Sequence, residues 1–126
     1  MRYRHYYAGI RVRDLERSLR FYTRALGMKI ANRGGMAHGG KYVQLVSPGS
    51  TQRLELNWYP RGSRFHTPWK AGTELDHLAF VVADLPKGYA ELLRKGARPV
   101  ISPDKADRVE VYVKDPDGIW IELLQG

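Results

Sequence analysis

The feature that most constrains this chain is an internal repeat, in which the second half copies the first at a spacing of about 70 residues. The stretch HYYAGIRVRDL at 5–15 is matched by DHLAFVVADL at 76–85, and RLELNW at 53–58 is matched by WIELLQ at 120–125. The 126 residues are enough for one domain with its own core but not for two. The two copies are therefore predicted to fold as modules of a single domain over 1–126.

Both copies show the same order of elements, which is a strand, a helix and then further strands. In the first copy we predict that Asp14 caps the helix and that Gly27 lies at its end. In the second copy Pro86 falls in the first helical turn and Gly96 ends the helix. The chain thus divides into a first module, a linker rich in proline, glycine and aromatic residues, and a second module, at about 5–58, 59–74 and 75–126.

Alternation along the strands gives each module an apolar face and a polar face. The apolar rows are predicted to form the core under the helices, and they contain Ala8, Ile10, Val12, Leu54, Leu56, Leu78, Phe80, Val82, Ile121 and Leu123. The opposite face carries the charged and polar side chains that could bind or react, which are His5, Tyr7, Arg11, Arg53, Glu55, Asn57, His77 and Glu122. If the sheets curl, this second face lines a polar cavity.

The composition limits the kinds of partner that the chain can have. The formal net charge is +8, but arginine and lysine are spread from Arg2 to Lys114 without a long run, which argues against nucleic-acid binding. No apolar stretch reaches the roughly 20 residues of a membrane-spanning helix, and the basic N-terminus lacks the apolar core of a signal peptide. The chain has no cysteine, which excludes disulfides and thiolate metal sites and favours a cytoplasmic location.

Two pairs of repeat-related positions lie on the polar face. Glu55 aligns with Glu122, and Tyr7 aligns with His77. Each of these residues alone has an ordinary explanation as a packed histidine or an exposed carboxylate. Together they indicate a cation site, because two carboxylates on one concave face repel each other unless a cation or a proton lies between them. Imidazole and carboxylate groups suit nickel, zinc, manganese, iron or cobalt.

Four segments lie in order along the chain, and they are IRVRDLERSLRFYTRALGM, LELNW, DHLAF and VKDPDGIWIELL. Together they closely resemble the vicinal oxygen chelate superfamily in its glyoxalase I-like branch, the glyoxalase/bleomycin resistance/extradiol dioxygenase family. The resemblance implies an α+β fold of two βαβββ modules, with a curved mixed sheet around a polar cavity and helices on the outer face. It also implies an active site between modules, which in short chains of this type usually forms across a homodimer.

The family's metal ligands, carried over by position, fall on Tyr7, Glu55, His77 and Glu122, and position 7 departs from the histidine that is usual there. Three arrangements are open. Tyr7 could bind through its phenol, although a free phenol ionises only near pH 10. His5, two residues earlier on the same strand face, could replace it if the strand bulges. The ion could instead have three protein ligands and water, with Tyr7 beside them, and we favour this arrangement.

The resemblance implies a metal-dependent lyase or isomerase of the glyoxalase type, which acts on a small oxygenated substrate through an enediolate. Glu122 is then the expected base, and Glu55 is a ligand that could also shuttle protons. Arg11 matches a family arginine near the substrate's carboxylate, and Asn57 and Tyr7 are further candidates for substrate contact. The linker-region aromatics Trp58, Phe65 and Trp69 could shape the pocket, but loop or dimer packing explains them better.

Two other functions fit the same fold. An extradiol-type iron dioxygenase needs two histidines and one carboxylate, so it would require His5 and would leave Glu55 without a role. A non-catalytic protein that sequesters an antibiotic needs no metal ligands, so the retained glutamates and His77 argue against it. An epimerase acting beside a thioester is chemically close. The sequence identifies neither the substrate, nor the thiol, nor the metal.

Overall fold

The computed structural model describes residues 2, 7–37, 39–63, 65–66, 68–70, 75, 77–104 and 111–126. The elements of the first module are β1 (Tyr7–Arg11), α1 (Leu15–Arg20), β2 (Lys29–Gly35), β3 (Lys41–Val46) and β4 (Arg53–Trp58). Those of the second are β5 (Leu78–Val82), α2 (Leu85–Arg94), β6 (Arg98–Ile101), β7 (Val111–Lys114) and β8 (Trp120–Gln125). The predicted α+β fold of two βαβββ modules is confirmed.

Each module has its own four-stranded mixed sheet, and the two sheets share one topology. The strand orders are β1-β4-β3-β2 and β5-β8-β7-β6. In both sheets the first strand pairs in parallel with the last, and the other pairs are antiparallel. The two sheets are not closed into a barrel.

The helices begin as the sequence predicts. The Asp14 carboxylate accepts a bond from the Arg17 backbone N–H (3.1 Å), and Asp84 caps α2 in the same way through Lys87 (3.1 Å). After α1 the chain continues as a π-helical turn over Phe21–Ala25 and leaves it at Gly27, whose φ is +72°. Neither helix is long and apolar enough to cross a membrane, within the described part of the chain.

The apolar rows pack against the helices, as predicted. Ile10, Leu56 and Ile121 are each at most 2% exposed, and Val12, Leu54 and Leu123 are buried with them. The row of β5, which is Leu78, Phe80 and Val82, is only partly buried against this core. Ala8 is exposed and lines a cleft between the two modules. The first strand therefore joins the core only from its middle onward.

The DPDG turn of the second module is tied to the helix of the first. The buried Asp117 carboxylate accepts bonds from Arg13 Nε (2.8 Å), Arg17 Nη2 (2.6 Å) and Ser18 Oγ (3.1 Å). The Tyr22 hydroxyl donates to Asp115 Oδ2 (3.0 Å). Burial raises the pKa of the Asp115 carboxyl above its usual range. Burial and the nearby Asp115 charge both raise the pKa of Tyr22.

Candidate active site

The first half of the candidate site lies on β4, in the middle of the first sheet. Glu55 is directly opposite Gly9 on β1 and Gln44 on β3, and only 7% of it is exposed. The Gln44 amide Nε2 donates to Glu55 Oε2 (2.9 Å), and Gln44 Oε1 accepts a bond from Arg53 Nη1 (2.9 Å). The carboxylate is thus linked to a guanidinium through one buried amide.

Tyr7 and Asn57 lie on either side of Glu55 on the same face. Tyr7 is opposite Arg53 and is 38% exposed. The Asn57 amide extends towards Gly9, where an added Cβ would be 3.0 Å from its nitrogen. The glycine therefore leaves the space that the Asn57 side chain needs.

The linker folds onto the end of β1. The Arg11 guanidinium donates to the backbone carbonyl of Phe65 and lies 5.2 Å from the centre of the Tyr59 ring. Arg13 lies 5.5 Å from the Trp69 ring. These contacts favour loop packing as the role of Phe65 and Trp69, and they place the Arg11 charge at the border between the open face and the linker.

The second half of the candidate site has the same backbone position but other side chains. Glu122 lies on β8, directly opposite Ala79 on β5 and Tyr112 on β7. Its Oε2 is 3.3 Å from His77 Nε2. The His77 ring contacts the Tyr112 ring edge-on at 5.8 Å, and Tyr112 contacts Trp120 at 5.5 Å. His77 and Glu122 form the closest imidazole–carboxylate pair among the described ion pairs.

With this geometry established, comparison with known proteins identifies the family. The family model for the Glyoxalase/Bleomycin resistance protein/Dioxygenase superfamily matches residues 4–123. The chain belongs to this superfamily. The family predicted from the four sequence segments is therefore confirmed.

Several relatives are named for glyoxalase activity. A lactoylglutathione lyase of Pseudomonas aeruginosa is 29% identical over 92% of this chain and 78% of its own length. A probable lactoylglutathione lyase of Synechocystis is 32% identical over 92% of this chain and 90% of its own. The solved structure of the trypanothione-dependent glyoxalase I of Leishmania major is 29% identical, with a TM-score of 0.80 over 98% of this chain and 87% of that one.

The structure brings the predicted metal ligands together only in part. His77 is in contact with Glu122, whereas Glu55 is in contact with Gln44 on the other sheet. Among the described residues, no three side chains of the metal-binding types come together. His5, the rival ligand, lies outside the described residues. The candidate residues therefore form a first candidate half-site, Glu55 with Gln44, and a second one, His77 with Glu122, each on its own sheet.

The second half-site has a spacing that suits a metal ion. Ligand atoms that each lie about 2.1 Å from one ion are roughly 3.0–3.4 Å apart, depending on the coordination geometry. His77 Nε2 and Glu122 Oε2 are 3.3 Å apart, and both atoms are of the kinds that divalent transition metals bind. The donor set of this half-site therefore fits the predicted metal.

Sequence reasoning gave no role to two residues of the half-sites, Gln44 and Tyr112. Each one lies on the strand beside the glutamate strand and faces the glutamate across the sheet. A signal for Gln44 was present, because it is a single amide within the apolar run YVQLV. Arg53 was assigned to the polar face by alternation, but its bond to Gln44 could only be found in three dimensions.

Proposed function

We propose that the chain is a glyoxalase-type lyase that needs a divalent metal and acts on the adduct of a thiol and a ketoaldehyde. The observation that carries this proposal is the contact between His77 and Glu122, an imidazole–carboxylate pair on an open sheet face with a spacing that suits one ion. The lactoylglutathione lyases among the relatives favour the same reaction class.

The metal would be held by Glu55, His77 and Glu122, with Tyr7 beside them. When bound, it would supply Lewis acidity for two neighbouring substrate oxygens. The two half-sites lie on separate sheets of one chain, so we propose that a homodimer completes the site. Glu55 of one copy would then face His77 and Glu122 of a second copy.

The proposed proton transfer belongs to Glu122. Its carboxylate would take a proton from the substrate carbon next to the carbonyl, leave an enediolate, and return the proton to the adjacent carbon. With both side chains on the ion, His77 Nε2, 3.3 Å from Glu122 Oε2, would hold the metal beside this carboxylate. Arg11, at the border with the linker, supplies a positive charge for an acidic group on the thiol part of the substrate, and Asn57 offers an amide to its oxygens.

Metal titration together with a lyase assay tests the proposal. The purified protein is titrated with Zn²⁺ and with Ni²⁺ by calorimetry, and turnover is then measured with methylglyoxal adducts of several thiols. We expect about one ion per site and metal-dependent turnover with at least one thiol. Binding far below one ion per site would overturn the proposal, and oxygen uptake with catechols under ferrous iron would favour a ring-cleaving dioxygenase instead.

A mixing experiment tests the proposed shared site. At limiting metal, Glu55→Gln and Glu122→Gln chains should each be close to inactive as pure dimers in this scheme, because every site lacks one glutamate. Random mixing makes half of the dimers mixed, and each mixed dimer has one intact site, so about a quarter of the wild-type activity should return. A site built within one chain predicts no recovery on mixing.

A further inference from the structure

We propose that Gln44 and Arg53 are positioning residues for Glu55 in the first half-site, where Glu55 lacks the direct imidazole contact that Glu122 has in the second. The inference rests on the proposed function, because it takes Glu55 to be a ligand of the metal. It adds two residues that the family's ligand positions do not include, and it explains how the first half-site tolerates a tyrosine at position 7.

The Gln44 amide is fixed at both ends. Its Nε2 donates to Glu55 Oε2 at 2.9 Å, and its Oε1 accepts from Arg53 at 2.9 Å. Rotating the amide by half a turn would place its oxygen against a carboxylate and its NH₂ group against a guanidinium. Both contacts would then be repulsive, so the guanidinium determines which way the amide faces and the amide determines where Glu55 lies.

Burial makes this arrangement rigid. Gln44 is 4% exposed and Glu55 is 7% exposed, so water has little access to the bond between them. A buried donor or acceptor that loses its partner destabilises the fold, and a charged one does so more. The Glu55 carboxylate is therefore held with Oε2 facing Gln44, which leaves Oε1 as the oxygen for an ion.

The second module surrounds its glutamate with different side chains. Tyr112 occupies the position that corresponds to Gln44, opposite the glutamate on the neighbouring antiparallel strand. Trp120, two residues before Glu122, corresponds to Arg53, two residues before Glu55. In the second module, the side chain in contact with the glutamate is His77, on the parallel side of the sheet.

In the first module that parallel-side position is Tyr7, whose Cα partner on β4 is Arg53. No bond from Tyr7 to Glu55 is among the described contacts. The contact that Glu122 has with a side chain on the parallel side is replaced for Glu55 by Gln44 on the antiparallel side, and the Arg53 guanidinium fixes the Gln44 amide. We call this pair of bonds a two-residue relay.

The test is the affinity for Zn²⁺ alone, measured by calorimetry on the full chain with Gln44→Leu, Arg53→Met and the double variant. Partners that orient a metal ligand typically change metal affinity by about 10–100-fold when removed. We expect a loss in that range for Gln44→Leu and a smaller one for Arg53→Met, which leaves the Gln44–Glu55 bond in place. Because Arg53 acts on Glu55 through Gln44, the double variant should match Gln44→Leu.

Matched controls separate positioning from a general effect on the fold. Gln52→Leu removes an exposed glutamine from the turn before β4, and Arg33→Met removes an arginine whose described partner is Glu16 on the surface. Both should keep the wild-type affinity. Arg53→Lys retains the charge and one donor, so it should recover most of the affinity that Arg53→Met loses.

A second readout needs no metal. The side-chain NH₂ signals of Gln44 in the metal-free protein should move in Arg53→Met and in Glu55→Gln but stay in place in Arg33→Met. This measurement replaces calorimetry if Gln44→Leu does not fold.

The outcomes separate the two proposals. If the wild type does not bind Zn²⁺ or Ni²⁺, the proposed function fails. If the wild type binds but Gln44→Leu and Arg53→Met bind equally well, only the positioning role fails. If the losses of binding free energy for Zn²⁺ in the two single variants add up in the double variant, the relay is also overturned, since Arg53 would then act independently of Gln44.

Discussion

The two modules place a glutamate at the same point of the same sheet, yet they surround it differently. Glu55 is buried, and an amide and a guanidinium hold it from the antiparallel side and from its own strand. Glu122 is more open and faces the imidazole of His77. The repeat therefore preserves the backbone position of the glutamate, whereas the side chains that contact it differ. This asymmetry predicts different roles for Glu55 and Glu122.

The largest expected effect is a difference between the two glutamates in what their substitution changes, kcat for one and metal affinity for the other. At saturating metal, Glu122→Gln should lower kcat by about 10²–10⁴-fold, the usual contribution of a general base. Glu55→Gln should act mainly by weakening metal affinity, because Glu55 is immobilised by Gln44 and is poorly placed to carry a proton. Metal titration followed by steady-state kinetics measures both effects.

Circular dichroism serves as the control, since both substitutions are isosteric and should leave the fold intact. Equal losses of kcat in the two variants at saturating metal would remove the asymmetry on which this prediction depends.

A second contrast concerns the turns that lead into β4 and β8. Asp117 in the second module is buried and accepts bonds from Arg13, Arg17 and Ser18, whereas the corresponding turn of the first module, SPGS at 47–50, carries no charge. Asp117→Ala should lower the free energy of unfolding by about 2–3 kcal/mol. Removing one partner of a buried pair costs about 3–5 kcal/mol, and the partly exposed arginines recover some of this by rehydration.

Urea unfolding checks the value, and Ser50→Ala in the other turn is the matched control. Its loss should stay below about 1 kcal/mol, since its described bond is a single exposed one to the Gln52 backbone. If both substitutions lower the free energy of unfolding by a similar amount, the Asp117 bonds do not stabilise the contact between the modules.

A third prediction tests position 7 directly. Tyr7→His restores the residue type that His77 has in the second module, and it should tighten Zn²⁺ binding by about tenfold or more, because imidazole is a better neutral ligand than phenol. Calorimetry on Tyr7→His and on Tyr7→Phe measures the change. His5→Ala should leave the affinity unchanged, and if it abolishes binding, the ligand lies two residues earlier on the strand.

Much of the fold could be predicted from the sequence, because the signals are local or repeated. The caps at Asp14 and Asp84 depend on backbone N–H groups three residues away, and the strand faces follow from alternation. The repeat also placed Glu55 and Glu122 at equivalent positions. Such signals need no knowledge of what lies across the sheet.

The partners of those glutamates could not be predicted in the same way. Gln44 reaches Glu55 only because β3 and β4 pair in one register, and a shift by one residue would send its amide into the core. The contact of Tyr22 with Asp115 depends on packing between modules, about 90 residues apart in sequence. These interactions are properties of the tertiary structure.

The smallest expected effect is the pH dependence that comes from Asp115, a carboxyl with no counterpart in the first module's turn. Burial raises its pKa in the folded state, so folding favours the protonated form. Its contribution to stability is therefore complete below its unfolded pKa, near pH 4, and is lost as the pH rises through the raised folded value.

Asp115→Asn keeps an oxygen for the backbone N–H groups of Asp117 and Ile119 but cannot ionise. The stability of the wild type relative to Asp115→Asn should thus fall with increasing pH above about 4 and then level off, as measured by urea unfolding across that range. A difference that stays constant, or that grows with pH, would show that Asp115 is ionised as readily in the folded chain as in the unfolded one.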